Sequence, residues 1–400
     1  MSVLKDIRVV DLTRVVAGPW ATQTLADLGA DVIKIERPVS GEDTRRIGPF
    51  LADASGQPTN DSAFYMGVNR GKRSVTIDIA DERGAALVRE LARDAQVFVE
   101  NHKVGSLKRF GLDYESIRQI NPSIVYCSVT GFGQDGPYAV RPAYDSILQA
   151  LCGLMSTCGS PDGEPTRSGI PITDIVAGLY ATIAIQAALM HREHTGEGQY
   201  IDCAMIDTTV AINGHLALGY LMSGKSPRRQ GNNNPIAAPS EVFPASDGHF
   251  ILGVGNDSQF RAFTAIIEQP ELALQERFAS NASRIRHRKE LRELILCVTV
   301  TRPVAYWVER LAAANVPAGP INNMQQLFED AQVCHRDLSL QVPHASGVNA
   351  PTLRSPLRMS GMAVEHRAAP ALGQHTAEVL NGLLGHDEAS MARLSAAGVI

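Results

Sequence analysis

From residue 7 to residue 129, short apolar runs alternate with segments whose apolar positions recur at helical spacing. Ile7-Arg8-Val9-Val10-Asp11-Leu12 has the length and branching of a strand, and 20–28 reads as a helix. Asp31-Val32-Ile33-Lys34-Ile35-Glu36 is a second strand, entered after Gly29. Val75-Thr76-Ile77-Asp78-Ile79, a helix over 84–94, Val97-Phe98-Val99-Glu100 and a strand over 124–129 continue the alternation. Strands separated by helix-length segments predict a parallel α/β sheet, because parallel neighbours need a crossover.

The apolar run 175–190 contains Thr182 and Gln186, falls short of a membrane span and predicts a buried helix. Residues 223–240 (SGKSPRRQGNNNPIAAPS) are polar and rich in Gly, Pro and Asn, which predicts a linker or a long functional loop. Beyond them, Val242-Phe243, the Asp247-Gly248 pair and His249-Phe250-Ile251-Leu252 predict a hairpin, followed by helical segments to about 314. That block predicts a second, smaller α+β domain. Residues 343–370 are again proline-rich, a last helix is expected over 376–384, and no internal repeat is present.

Composition adds little beyond exclusions. The 400 residues suggest two domains, and 44% hydrophobic with 20% charged residues suits sizeable cores. A net charge of −5 gives no reason to expect a nucleic-acid or anionic-membrane partner. The six cysteines (Cys127, Cys152, Cys158, Cys203, Cys297, Cys334) form no CxxC pair and read as reduced core thiols, which favours the cytoplasm. The N-terminus opens straight into a strand pattern without the layout of a signal peptide.

The first strand-turn-helix has the topology of a dinucleotide fold, with Glu36 where a ribose ligand would sit. Its turn, Arg14-Val15-Val16-Ala17-Gly18-Pro19, is not GxGxxG, which counts against nicotinamide binding. Basic residues cluster in three segments: Lys34 and Arg37; Arg70, Lys72 and Arg73; Lys103, Lys108 and Arg109. These are either solvated surface charge or, converging at the strand ends, a site for a ligand with several phosphates. Asp174 precedes the apolar run. An aspartate there caps a helix equally well and forms, at the helix N-terminus, an ionised nucleophile at a pocket edge. Gly253-Val254-Gly255-Asn256-Asp257 is a turn or a mobile lid. The histidines show no HExxH or metal spacing, and neither GxSxG nor a Walker A loop is present.

Together these segments resemble the class III CoA-transferase family. The resemblance runs through DLTRVVAGP (11–19), LGADVIKIERP (28–38), NRGKRS (69–74), VENHKVGSLKRFGL (99–112), GFGQDGPYAVRPAYD (131–145), ITDIVAGLYA (172–181), HREHTGEGQYID (191–202), VPAGPINNM (316–324) and APALGQHT (369–376). It implies a catalytic Asp174, and CoA contacts from Val16, Ala17, Arg37, Asn69, Lys72, Arg73, Asn101, His102, Lys103 and Arg109, with Tyr144 and Asp145 beside them. It implies a Rossmann-like domain of 1–205 completed by 335–400, linkers at 206–225 and 326–334, and a small domain over 226–325. Two subunits interlocked as a homodimer, with no metal or nicotinamide cofactor, complete the expectation.

Within the family, Val16 replaces the glutamine of formyl-CoA transferases, which makes oxalate and formate poor substrate expectations. Racemases of the family carry His-Asp where Tyr144-Asp145 stands, and a tyrosine with an ordinary pKa of about 10 is no substitute base at neutral pH. DLTRVVAGP, DTR (43–45), GPF (48–50), GPINNM and LGQHT are similar to the succinyl-CoA:dicarboxylate branch. The implied substrates are succinyl-CoA and a short dicarboxylate, transferred through an aspartyl anhydride and an aspartyl-CoA thioester. Backbone amides near Ala17, Gly18 or Gly255 are the expected oxyanion donors, and Arg14, Arg45 and Arg167 the candidates for a distal carboxylate. A racemase and a nicotinamide oxidoreductase are the alternatives.

Overall fold

A computed structural model describes residues 2–400, which divide into two units. The first comprises residues up to Gly153, Ser168–Gly224 and Cys334–Ile400; the second comprises Leu154–Arg167 and Lys225–Val333.

The first unit is built on a six-stranded sheet, all of whose paired neighbours run parallel. From one edge to the other lie Arg73–Thr76, Asp31–Glu36, Arg8–Asp11, Val97–Glu100, Val125–Thr130 and Gln199–Ala204. Numbered by their order in the chain, these strands stand 3-2-1-4-5-6, the order of a dinucleotide-binding fold. Consecutive strand residues face opposite sides, so Val9, Val32, Val97 and Val125 enter one core while Val10, Ile33, Phe98 and Tyr126 enter the other. Both faces are covered, which is why these strands read as nearly continuous apolar runs.

One face is closed by helices Ala17–Asp27 and Ile172–Thr195. The other carries Glu82–Arg93 and Thr376–Leu384, with Met391 and Leu394 of the final helix Glu388–Ala396 packed against it, so the last part of the chain completes the first unit's core. Helix Ile172–Thr195 buries Ala177, Gly178, Ala181, Thr182, Ile185 and Ala188. A Cβ on Gly178 would stand 2.7 Å from the carbonyl oxygen of Ala17 and 2.9 Å from Cβ of Trp20. Only glycine permits that approach, and it brings the starts of the two helices side by side.

The second unit has its own three-stranded antiparallel sheet, with His249–Gly253 between Ala318–Pro320 and Ser240–Pro244. Its core gathers Phe243, Phe250, Phe260, Phe263, Phe278 and Trp307. The fully buried Arg284 donates to the carbonyls of Ala238 and Phe278 and pairs with Asp257.

Several boundaries differ from expectation. The linkers expected at 206–225 and 326–334 are helical: Met205–Ile212 and Gly214–Ser223, then Met324–Glu329 and Ala331–His335. The first pair is rich in Ala, Leu, Met and Ile, which carry helices; the polar stretch that begins at Lys225 belongs wholly to the second unit. The apolar helix starts at Ile172 and runs for 24 residues, long and apolar enough to cross a membrane by length and composition. Contrary to the expectation of a run too short to span, it reaches that length, and it is only partly a core helix, with Leu179, Tyr180, Ile183 and Met190 left exposed. None of the six cysteines is in a disulfide; Cys127 and Cys203 are buried, whereas Cys158, Cys297 and Cys334 are exposed rather than core thiols.

Gly178→Ala should push the two helices apart, since backbone and Trp20 Cβ cannot swing away. Overpacking of this kind costs ~1–3 kcal/mol. A lower Tm in calorimetry is expected, together with reduced activity, because the same contact sets the site. An unchanged Tm would show that the contact carries no such constraint.

Candidate active site

The strand order reverses direction between Arg8–Asp11 and Val97–Glu100, and open α/β sheets bind ligands at the carboxyl ends of strands at such a point. Two loops leave the sheet there. The side chain of Asn101 joins them, accepting from the N–H of Arg14 at 2.8 Å and donating to its carbonyl at 2.7 Å. Between Arg14 and the helix, Val15 has φ of +70°, a left-handed conformation unusual for a β-branched residue. Gly18 follows because Thr13 folds back over it: a Cβ on Gly18 would lie 2.4 Å from Thr13 Cβ.

Asp174 lies in the first turn of helix Ile172–Thr195, whose N-cap position is Pro171, and no side-chain cap is made. It is therefore not the capping residue that the sequence allowed. A cavity of about 520 Å³ is lined by Asp174, Val15, Val16, Ala17, Asn101, His102, Lys103 and Tyr144. Arg14, Arg141, Val129, Thr130 and Met205 also line it. The turn at Ala17 and the carboxylate of Asp174 thus share one space. The first N–H groups of helix Ala17–Asp27 have no acceptor within their own helix, and its N-cap residue Val16 supplies no side-chain bond. They are hydrogen-bond donors without a helix partner at the edge of this space.

A second cavity, of about 220 Å³, is lined by Arg37, Arg109, Ser106, Phe110, Ile79 and Ala80, and again by Arg14 and His102. The two share those residues as a common wall. The Arg109 guanidinium stacks on the Phe110 ring at 4.4 Å, and Arg37 pairs with Asp43 at 2.7 Å on the rim.

The electrostatics differ from what a bare helix terminus suggests. Burial, and then the charge of Asp145, push Asp174 up to about 7, so it is not fully ionised at neutral pH. Asp145 stands behind it at the start of helix Asp145–Leu151, where its Oδ1 accepts from the N–H of Thr173 at 2.8 Å and the hydroxyl at 2.7 Å. The Gln149 amide donates to its other oxygen at 2.6 Å. Burial and the neighbouring Arg14 lower His102 to about 4, so it is a neutral imidazole at neutral pH. Burial raises Glu100 to about 7, against the Ser128 hydroxyl and the N–H of His102, which donates to it at 2.7 Å.

Other expected contacts are not in either cavity. Lys72 is fully buried and donates to Asp11, Thr22, Asn69 and the Pro19 carbonyl. Burial pushes it down to about 8, still cationic at neutral pH. Asn69 is buried with it and donates to the Tyr65 carbonyl, so both are bonded inside the protein and neither lines these cavities. Arg73 pairs with Asp31 and Glu378 on an edge strand, and Arg70 with Asp27. Lys34 is buried on Glu42. The basic segments therefore do not all converge; sequence clustering could not separate a core ammonium from a surface one.

Glu36, read as a ribose position, grips Arg45 through both oxygens at 2.7 and 2.8 Å. Arg45 is consumed there, with Asp61 as a second partner, and is no distal-carboxylate site. Gly255 belongs to the second unit, where its N–H donates to Gln259 Oε1 at 2.8 Å and is not a spare oxyanion donor. Asn256 caps the helix Asp257–Ile266 that follows, so the segment is a tied helix start. Arg167 also lies in the second unit.

Arg141 is the cation that sequence reading missed. Phe132 packs on the core, Tyr138 meets Phe132 edge-on at 5.6 Å, and the Arg141 guanidinium lies 3.8 Å from the Tyr138 ring centre. Its signal was a single arginine inside 131–145, easily passed over in a search for clusters.

A carboxylate in a walled space beside an uncapped helix start, with an arginine-bearing cleft adjoining, suits a transferase acting on an extended anionic acyl carrier. The sequence profile of CoA-transferase family III matches residues 4–376, and the chain belongs to that family. A succinate–glutarate CoA-transferase from Agrobacterium fabrum is 45% identical over 379 residues, covering 94% of this chain and 94% of that protein. The human succinyl-CoA:glutarate CoA-transferase is 39% identical, covering 99% and 90%. The crystal structure of a CAIB/BAIF family protein from Brucella suis matches with a TM-score of 0.88 at 44% identity, over 96% of this chain and 99% of that one.

With Asp174 as the attacking group, only its ionised form is competent, and initial rates should rise with pH through about 7. Asp145→Asn removes a neighbouring negative charge, lowers the Asp174 pKa and should move that acid limb to lower pH. A limb that stays in place would separate Asp145 from the nucleophile. The same shift has a stability consequence. Burial raises Asp174 above its unfolded value of about 3.9, so the neutral form favours the fold. That contribution is full below the unfolded value and lost as pH rises through about 7. Asp174→Asn should raise Tm at about pH 8 while leaving it unchanged near pH 4.

Proposed function

We propose that this enzyme moves CoA from succinyl-CoA to glutarate or a close dicarboxylate, through covalent intermediates on Asp174. The observation that carries the reading is the shared cavity of Asp174 and the Val15–Ala17 turn, adjoined by the arginine-lined cleft. The names of the relatives support the substrates.

The Asp174 carboxylate attacks the thioester carbonyl, the C–S bond breaks, and CoA leaves as thiolate with an acyl-aspartyl anhydride formed. An ordinary thiol pKa of about 8.5 makes the thiolate a competent leaving group. It attacks the aspartyl carbonyl of the anhydride, releasing succinate and leaving an aspartyl-CoA thioester. The acceptor carboxylate repeats the sequence in reverse, so the acyl activation is passed on rather than spent. Each tetrahedral oxyanion is held by N–H groups at the start of helix Ala17–Asp27.

The nucleotide of CoA lies along Arg37 and Arg109, and the pantetheine arm passes Arg14 and His102. Arg14 and Arg141 are the cations for the acceptor's distal carboxylate. Asp145, hydrogen-bonded to Thr173, sustains the pKa of the nucleophile. The exposed apolar side chains of two helices, Leu179, Tyr180 and Ile183 with Leu218, Leu221 and Met222, support burial against a second copy in an interlocked homodimer. A cytoplasmic location accords with thiols that form no disulfide.

Asp174→Ala should abolish transfer while the protein stays folded. Succinyl-CoA incubated with glutarate should give glutaryl-CoA by mass, and butyrate should be a poor acceptor. Butyrate accepting CoA as efficiently as glutarate would remove the dicarboxylate assignment. Arg109→Ala should raise KM for acyl-CoA by the ~1.5–3 kcal/mol of a lost charge-assisted bond, or ~10–150-fold, and leave KM for the free acid nearly unchanged.

A further inference from the structure

The reaction as described uses neither charge of the ion pair buried under the Val15–Ala17 turn. We propose that Asp11 and Lys72 are positioning residues for transfer, clamping that turn so that the first N–H groups of helix Ala17–Asp27 face the carbonyl under attack at Asp174. The proposal rests on the CoA-transfer reading of the site.

Asp11 ends the central strand Arg8–Asp11, and its side chain is fully buried. One carboxylate oxygen accepts from the N–H of Thr13 at 2.8 Å and from its hydroxyl at 2.6 Å. The other accepts from the Thr22 hydroxyl at 2.7 Å and from Lys72 Nζ at 3.0 Å. Thr13 lies before the turn and Thr22 in the helix after it, so a single carboxylate holds both ends. Lys72 adds contacts to Thr22 at 2.7 Å and to the Pro19 carbonyl at 3.1 Å. Lys34 holds the Thr13 carbonyl at 2.8 Å and is itself paired with Glu42 at 2.7 Å.

Between the two anchored ends sits Val15 at φ +70°. A non-glycine residue held in the left-handed region costs ~1–3 kcal/mol and persists only where its surroundings over-determine it. The helix that follows starts at Ala17 without a side-chain cap and without an acidic residue in its first turn. Its N–H groups are therefore left for the cavity, and their direction depends on the turn alone. A buried ion pair is a poor device for stability, since neutral residues of similar size often serve as well. Here its four-way bonding goes to orienting the backbone beside the nucleophile.

The test compares Thr22→Val, which removes the shared hydroxyl while leaving the charges paired, with the double variant Asp11→Asn/Lys72→Met, which removes both charges together. Wild-type enzyme is first shown to convert succinyl-CoA and glutarate to glutaryl-CoA by mass; failure there overturns the functional reading itself, and the clamp's role in transfer with it. With an active wild type, both folded variants should lose kcat by ~10–100-fold, the scale of a misplaced catalytic group, while KM for succinyl-CoA stays within about twofold. A folded variant with wild-type kcat overturns the clamp, as does one whose loss lies only in KM. Should the double variant not fold by circular dichroism, Thr22→Val decides by the same criteria.

Discussion

The approach of helix Ile172–Thr195 to helix Ala17–Asp27 at Gly178 is the contact on which the site depends. Gly178 is one turn beyond Asp174, and Ala17 opens the facing helix, so the backbone contact that a side chain at 178 would break also sets the spacing between Asp174 and the first N–H groups of that helix. A parallel sheet supplies the platform: its first and fourth strands in chain order end together, and the loops that leave them are stitched by Asn101 to Arg14. Chemistry is thus placed by rigid elements, with loops contributing cations.

The nucleophile's environment balances two demands. A carboxylate fully solvated and paired would be always ionised but weakly nucleophilic, its charge stabilised by partners. Burial beside Asp145 leaves Asp174 near 7 without a cation against it, so a substantial anionic fraction is present at neutral pH and is poorly stabilised. The same burial disfavours the fold whenever Asp174 ionises, so the position is held at a cost in stability. Asp145 is itself held by Thr173 and Gln149, which fixes the distance over which its charge acts.

Charged residues in this molecule divide by depth, and depth decides role. Lys34, Lys72 and Arg45 are spent on internal carboxylates, where each stabilises backbone geometry around the strand ends. Arg37 and Arg109 line the clefts with Arg14, Lys103 and Arg141, where a ligand can reach them. Nothing in residue type distinguishes Lys72 from Lys103.

The pattern of apolar positions was enough to establish the parallel sheet, the second strand over Asp31–Glu36, the fourth over Val97–Glu100 and a helix over Thr376–Leu384, though not the helix Glu388–Ala396 that follows it, because strand and helix periodicities are local properties. The resemblance singled out the motif 172–181 with its aspartate, and Asn101, His102 and Lys103, and that aspartate and those three residues do line one cavity at the carboxyl ends of the strands. What could not be read were quantities that depend on neighbours distant in sequence. Asp174 is a half-buried first-turn residue rather than a cap because the helix starts earlier, with Pro171 at its N-cap position, and Asp145 takes the Thr173 N–H. Lys72 and Asn69 turned inward because Asp11 and Thr22 waited there, and Glu36 was closed to a ligand by Arg45. Arg141 became a wall of the site only through Tyr138 and Phe132 beneath it. Side-chain direction, burial and pKa are set by long-range packing, so tertiary structure alone decided them.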